Sequence, residues 1–394
     1  MSFGIPVRNG LGVGLLASTS LSTRRGAGAA PAGFDVNFLT GALDPRITFT
    51  RTTTGTYIGS DGLLKTAAID EPRFEYDPTT LLPRGLLIEA SRTNILLHSS
   101  DLTQAAWVPT NVTTAMTATG PDGAANSATT VTATAGNATV LQPVVLALQN
   151  YVSSCYIKRR TGTGTVEITS DGGVTWTAVT VTAGWTRVSL PLLTIANPSV
   201  GLRIVTSGDA VDVAFFQSEA TVADVPTSVI PTNASQVTRA ADIATVTGTN
   251  FSSWYNAAEG SMLAVFSSFA IVPTTVGTVY TVSNGASTQR WAASVTGTNI
   301  SHVLSVVSAQ ATINIAGYLP NTIFKSAFGV KLNSVQAAVN GVLGTEDTLA
   351  NMPTVNRLNI GSGATSTLQL QGHIRSLTYY PTRLTNAELQ ALSV

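Results

Sequence analysis

The chain holds one cysteine, Cys155, in 394 residues, so no disulfide closes within it. Charge is scarce as well: 11% of residues are charged, against roughly 25% in an ordinary soluble domain. Lys plus Arg and Asp plus Glu number 21 each, for a formal net charge of zero. A nucleic-acid surface needs a positive excess, and with none here nucleic acid is not an expected partner. No run reaches about 18 consecutive apolar residues, so membrane insertion is not expected either. The signatures of several chemistries are missing too. There is no GxSxG elbow, no Walker or dinucleotide glycine pattern and no HxxEH spacing. His98, His302 and His373 stand far apart, which suggests no metal site. GTGTV at Gly162 to Val166 falls in a hairpin pattern rather than before a helix, so it carries no phosphate meaning.

What is present is apolar and β-forming. Hydrophobic residues make up 44% of the chain. With so few charges, this predicts a β-rich protein with a Thr- and Ser-rich surface, partly covered by other subunits. A chain of this length exceeds the size at which a single core stops growing, about 250 to 300 residues, so it holds two or three domains. Between about 99 and 235, TVLQPVVLAL, YVSSCYIKRR, GTVEITS, WTRVSLPLL, SVGLRIVT and DVAFFQSEA alternate with turns, as an antiparallel sandwich requires. Cys155 sits inside one of these strands and reads as a small core residue. From about 246 a second series follows, including SMLAVFSSF, TVYTVSN, QRWAASV, HVLSVVS, KSAFGVKL and HIRSLTYY. Asn340-Gly341 marks a tight turn within it. One helix is expected near the C-terminus. Thr385 caps it, Glu388 completes a capping box, and Leu384, Leu389 and Leu392 form its apolar stripe.

The expected fold class is therefore all-β: tandem antiparallel sandwiches of jelly-roll type, with an extended N-terminal arm and a short C-terminal helix. The expected units are an arm over 1–33, a small β-rich segment over 34–98, and sandwiches over 99–245 and 246–394. In the arm, the apolar stretch LGVGLLA is broken by glycines, and Arg24-Arg25 follows it rather than preceding it. The stretch thus reads as a flexible or extended arm rather than an export signal. Phe3, Ile5, Pro6, Arg8, Leu11, Leu15 and Leu16 are its candidate anchoring residues. Within 34–98, Ser60-Asp61-Gly62 separates TYIG from LLKT and predicts a hairpin.

The seam between the two series is the most specific stretch. Pro226 and Pro231 cannot donate ladder hydrogen bonds, so the chain leaves one sheet there. Val229 and Ile230 between them should be pinned in a groove, and Arg239 and Asp242 are spaced to pair locally. Phe251, Trp254 and Tyr255 bring an aromatic cluster to where a new core begins. This wording, PTSVIPT…VTRAAD…FSSWYN with Glu259-Gly260, resembles a joint in bacteriophage and prophage virion surface proteins. There it links a carbohydrate-binding-module-like jelly roll to a concanavalin-like (laminin-G-type) jelly roll. Val229 stands where that family usually has tyrosine. Phe49 to Ser99 and His373 to Ser393 resemble the family's preceding segment and its closing strand and helix.

The resemblance implies a non-enzymatic virion surface protein: a head fibre, spike or decoration protein, or a tail-fibre receptor-binding protein with a specific polysaccharide ligand. It implies virion partners, a homo-oligomer with a trimer favoured, contact with host-surface glycans, and assembly in the host cytoplasm. It also implies packing roles for Trp185 and Trp254. No cofactor is expected. Calcium is compatible with concanavalin-like folds, although no Asp-rich loop supports it.

Thr169-Ser-Asp171-Gly-Gly173-Val-Thr175-Trp176 matches the Asp-box pattern known from sialidases. Its physics is that of a hairpin: Asp171 holds turn amides, Gly173 supplies an unusual backbone angle, and Trp176 plugs the core. A polysaccharide depolymerase would need two carboxylates flanking a sugar. Glu75, Asp77, Glu167, Asp209, Asp212, Glu346 and Asp347 are scattered and share no motif. Sugar binding would use an exposed aromatic ring beside a few polar groups. Trp107 and Trp291, the tryptophans least tied to packing, are the candidate ligand residues.

Overall fold

Period-two alternation of Val, Ile, Thr and aromatic residues builds sheets throughout the described chain, and the named strand pairings are all antiparallel. The computed structural model describes residues 31–221, 225–269 and 276–394. The anchoring residues expected at Phe3, Ile5, Pro6, Arg8, Leu11, Leu15 and Leu16 lie outside the described residues.

The first sandwich faces two sheets across one core. One sheet runs Thr186–Ser189, Gln149–Thr161, Ala210–Ala220, Ala128–Ala133, Val112–Ala118. The other runs Thr177–Val179, Val166–Thr169, Ser199–Ile204, Ala138–Pro143, Val108–Thr110. Trp107, Val140, Cys155, Leu202, Val213 and Phe216 fill the space between them. Burial pushes the Cys155 thiol up to about 12, so it stays a neutral core residue.

The second sandwich has a seven-stranded sheet that includes Ile243–Thr247, Arg357–Ile360, Gly277–Ser283, Gln289–Thr296 and Asn299–Val306. Opposite it lies an eight-stranded sheet centred on Glu259–Ser268 and Gly372–Tyr380. The C-terminal helix, Asn386–Leu392, forms as its capping box predicts. Thr385 Oγ1 accepts from the Glu388 amide at 3.2 Å, and Glu388 accepts from the Thr385 amide at 2.7 Å. Leu384 and Leu389 pack with Leu263, Ala327 and Ala338 on the outer face of the eight-stranded sheet.

The stretch 34–98 is not a separate unit. Phe34–Asn37 and Pro83–Ile88 both pair with Gly372–Tyr380, at the far end of the chain. Thr48–Thr50 extends the opposite sheet by pairing with Ile243–Thr247, and that strand itself straddles the expected boundary at 246. Arg92–Asn94 crosses to the first sandwich, bonding to Ala210–Ala220 and Val237–Arg239. The early segment was free to do this because its short apolar strands have no second face of their own to bury. Gly85 allows the close crossing: a Cβ there would lie 2.4 Å from the Ile374 carbonyl oxygen, at a φ of +112°.

Candidate ligand-binding cleft

The Ser60-Asp61-Gly62 turn closes a hairpin of Gly55–Ile58 and Leu64–Ala67, with Gly62 in the left-handed region. Its two faces differ. Ile58 and Leu64, opposite each other, are buried with Phe215 and Val229 of the first sandwich. Tyr57 and Lys65, the next opposed pair, point the other way and line an open cleft of about 550 Å³. Phe74 and Tyr76, two residues apart on the neighbouring strand, line the same cleft. Glu75 between them turns away, accepting from the Ile58 amide at 3.3 Å and meeting His373 Nε2 at 2.8 Å.

Asp61 and Glu71 complete the rim. Lys65 Nζ sits 2.6 Å from Asp61 Oδ2, and this contact, with the Leu63 amide, holds the Asp61 carboxyl below its ordinary value. Burial raises the Tyr57 phenol above its ordinary value; Glu71, Asp61 and Tyr76 push it further up while Lys65 opposes them. All four of those side chains line the cleft with Tyr57. Tyr57, Phe74 and Tyr76 are half-buried, with part of each side chain open to solvent. Among the described residues the Tyr57 and Tyr76 hydroxyls have no hydrogen-bond partner. Aromatic side chains, free hydroxyls and a pair of carboxylates in one groove are what a hydroxyl-rich ligand needs.

A buried ionic joint holds the cleft in place. Arg51, Arg73, Arg239, Glu89 and Asp242 are all essentially excluded from solvent. Arg73 meets Glu89 at 2.8 Å and also Asp242; Arg51 meets Asp242 at 3.1 Å, and Arg239 meets Glu89 at 2.6 Å. Arg239 and Asp242 thus do not pair with each other, contrary to their spacing, because each finds a partner from the early segment. The same arginines grip the hairpin's base. Arg51 donates to the Ala68 carbonyl at 2.7 Å and Arg73 to the Thr56 carbonyl at 2.9 Å. Ser228, in the seam, donates to Glu89 at 2.6 Å, and Val229 and Ile230 beside it are buried.

Burial alone would raise the Glu89 carboxyl, but Arg239 and Arg73 overcome it and hold it at about 2, below the ordinary 4.5. A depressed carboxylate stabilises the fold above its unfolded value and loses that contribution as pH falls through the folded one. Between pH 4.5 and 2, the unfolding free energy should fall on the order of 3 kcal/mol through this group. Denaturant titrations across that window should show the loss. A Glu89→Gln variant with an equally steep pH dependence would refute the assignment.

The other expected site residues fall elsewhere. Trp107 and Trp291 are 2% and 0% exposed, so neither offers a ring face to a ligand. This corrects the expectation. Trp107 packs on Phe216 and donates from Nε1 to the His98 carbonyl at 3.1 Å; Trp291 lies between the two sheets of the second sandwich. Alternation carried the signal: Trp291 and Ala293 share the inward face. Asp171 accepts from the Thr175 amide at 2.9 Å and Gly173 has a φ of +90°, so the Asp-box segment is a structural turn. Trp176 does not plug the core. It is half-buried under Arg203, whose guanidinium carbon is 4.5 Å from the ring centroid. The turn lifts it onto the outer surface of the sheet. Trp185 is also half-buried, with Lys158 over its ring at 4.8 Å. Trp254 is buried, stacked on Phe34 at 4.8 Å and edge-on to Phe251.

Most of the scattered carboxylates have a nitrogen partner: Glu75 has the His373 ring, Asp77 Arg84, Glu167 Arg203, Asp209 Arg159, Asp212 Arg160 and Glu346 Arg383. Among the described residues, no three of His, Cys, Asp or Glu gather in a metal-binding group. The cleft was missed because the one motif on its rim, Ser60-Asp61-Gly62, announces a turn and not a binding site. The available signal was the hairpin itself, whose strands place Tyr57 opposite Lys65 and Ile58 opposite Leu64.

No protein-family model matches the chain, and no curated protein sequence does. Solved structures give local likenesses. The CBM40 module of Ruminococcus gnavus IT-sialidase bound to alpha2,3 sialyllactose is 13% identical, with a TM-score of 0.31 over 35% of this chain and 83% of that one. The NanB sialidase of Streptococcus pneumoniae is 11% identical, with a TM-score of 0.30 over 38% of this chain and 26% of that one. The receptor-binding domain of botulinum neurotoxin mosaic serotype C/D is 14% identical, with a TM-score of 0.30 over 38% of each chain. At these scores the likeness decides neither fold nor ligand.

Proposed function

We propose that this chain is a non-catalytic virion surface protein that holds host-surface saccharides in the cleft between Tyr57 and Tyr76. The observation that carries the saccharide reading is the cleft itself: Tyr57, Phe74 and Tyr76 beside free hydroxyls and two carboxylates. Sugar rings present C–H faces to aromatic rings and hydroxyls to polar groups, so both halves of the lining have a partner. The virion reading rests on the resemblance of the Pro226 to Gly260 seam to phage surface proteins, in which the arm over residues 1–33 is the particle anchor. A symmetric homo-oligomer, with a trimer favoured, would multiply a weak contact into useful avidity.

A glycan array probed with the full chain and with a Tyr57→Ala, Tyr76→Ala double variant tests the saccharide half. The variant should bind at least about tenfold more weakly, as expected for the loss of two aromatic contacts, with its unfolding midpoint little changed. Array signals indifferent to the double substitution would refute the cleft. The virion half fails if the polypeptide is missing from purified phage particles whose genome encodes it.

A second reading, polysaccharide cleavage, would need a pair of carboxylates free to act on a bound sugar. Among the described residues Asp61 and Glu71 are the cleft's carboxylates, and each already has a partner. Asp61 holds Lys65, and Glu71 accepts from the Ala68 amide at 2.6 Å.

A further inference from the structure

Resting on the saccharide reading of this cleft, we propose that it selects uncharged sugars and rejects sugar acids. The charged groups on its lining are Asp61, Glu71 and Lys65, two negative and one positive, for a sum of minus one. The single cation is already committed, since the Lys65 ammonium lies 2.6 Å from Asp61. Among the described residues, no arginine and no second lysine faces the space, so a carboxylated sugar would find no counter-charge. It would also bring its carboxylate up to Glu71, and like charges in a partly desolvated groove repel.

Uncharged sugars meet the opposite situation. Asp61 and Glu71 are pure acceptors when ionised, and each is anchored by a backbone amide, Leu63 at 3.1 Å and Ala68 at 2.6 Å. Their remaining lone pairs can take hydroxyl protons in charge-assisted bonds, stronger than neutral ones. The free Tyr57 and Tyr76 hydroxyls add two groups that can donate or accept. Ring faces take the apolar side of the pyranose. The lining thus offers acceptors and amphipathic groups in excess and one cation that is spoken for, which suits a hydroxyl-rich neutral chain.

The experiment uses matched pairs: immobilised tetramers of galactose, glucose and mannose, each against the tetramer of its own uronic acid. Binding of the full chain is measured at low and at physiological salt. The neutral member of at least one pair should bind at least about tenfold more tightly than its acid, with the gap narrowing as salt screens the rim. In an Asp61→Asn, Glu71→Gln variant the side-chain acceptors remain while the charges go. The lining then carries only Lys65, released from Asp61, so the gap should vanish or reverse in favour of the acid, as expected when repulsion gives way to attraction.

Two failures are distinguishable. If an acid binds as well as or better than its neutral partner, and both are lost in the Tyr57→Ala, Tyr76→Ala variant, the charge selection is wrong and the saccharide cleft stands. If binding ignores the tyrosine substitutions, or no tetramer binds, the saccharide reading falls and the selection with it.

Discussion

Replacing Arg73 with alanine should cost about 2–5 kcal/mol of unfolding free energy, through the buried void it leaves and the buried acceptors it strands. Arg73 is wholly buried and meets two carboxylates, Glu89 at 2.8 Å and Asp242. It also donates to Ser228 Oγ at 2.7 Å and to the Thr56 carbonyl at 2.9 Å. Burial works against its charge, yet Asp242 and Glu89 more than offset this and raise its pKa above the ordinary arginine value. Taking it away leaves Arg239 to face Glu89 and Arg51 to face Asp242, with a void between. The cost has a spatial consequence, because Arg73 ties the hairpin, the seam and the second sandwich together. Guanidinium denaturation should show the lowered midpoint, and limited proteolysis should cut first near the seam. A loss below about 1 kcal/mol, the size of an exposed pair's contribution, would mean the joint is more hydrated than its geometry implies.

Truncating Trp291 to alanine should cost a similar amount, about 3–5 kcal/mol. Its ring is fully buried, with Phe328, Tyr280 and Tyr379 centred 5.8, 5.9 and 6.4 Å away, and Nε1 lies 3.4 Å from the Tyr255 hydroxyl. Removing it opens a cavity between two sheets that are fixed by long ladders and collapse little. The variant separates the two roles that sequence allows a tryptophan. A core residue loses stability and leaves the glycan profile of the remaining folded protein unchanged. A ligand residue would keep its unfolding midpoint and lose binding, and that outcome would overturn the packing described here.

Local chemistry was the legible part. The Thr385–Glu388 capping box, the Asp61-Gly62 turn and the Asp171 to Thr175 turn each depend on residues within a few positions of one another, and each formed as read. Strand alternation announced two sandwiches for the same reason. The cleft was not legible, because its walls come from a hairpin and a strand whose aromatic residues look ordinary one at a time. Trp176 shows the limit in miniature: its turn was predictable, but whether the ring went into the core or onto the surface depended on Arg203, a strand away.

Composition and alternation alone determined that this chain is all-β, built as antiparallel sandwiches with a short capped helix at its end. Those properties follow from steric preference and from hydrogen bonds between near neighbours. Tertiary structure decided the rest: that residues 34–98 give strands to both sandwiches, that Arg239 reaches Glu89 instead of Asp242, and that Tyr57 and Tyr76 face one groove. These depend on partners as much as 150 positions apart in the case of Arg239 and Glu89. Which distant partners meet is set by burying apolar faces together and leaving no charge alone in the interior.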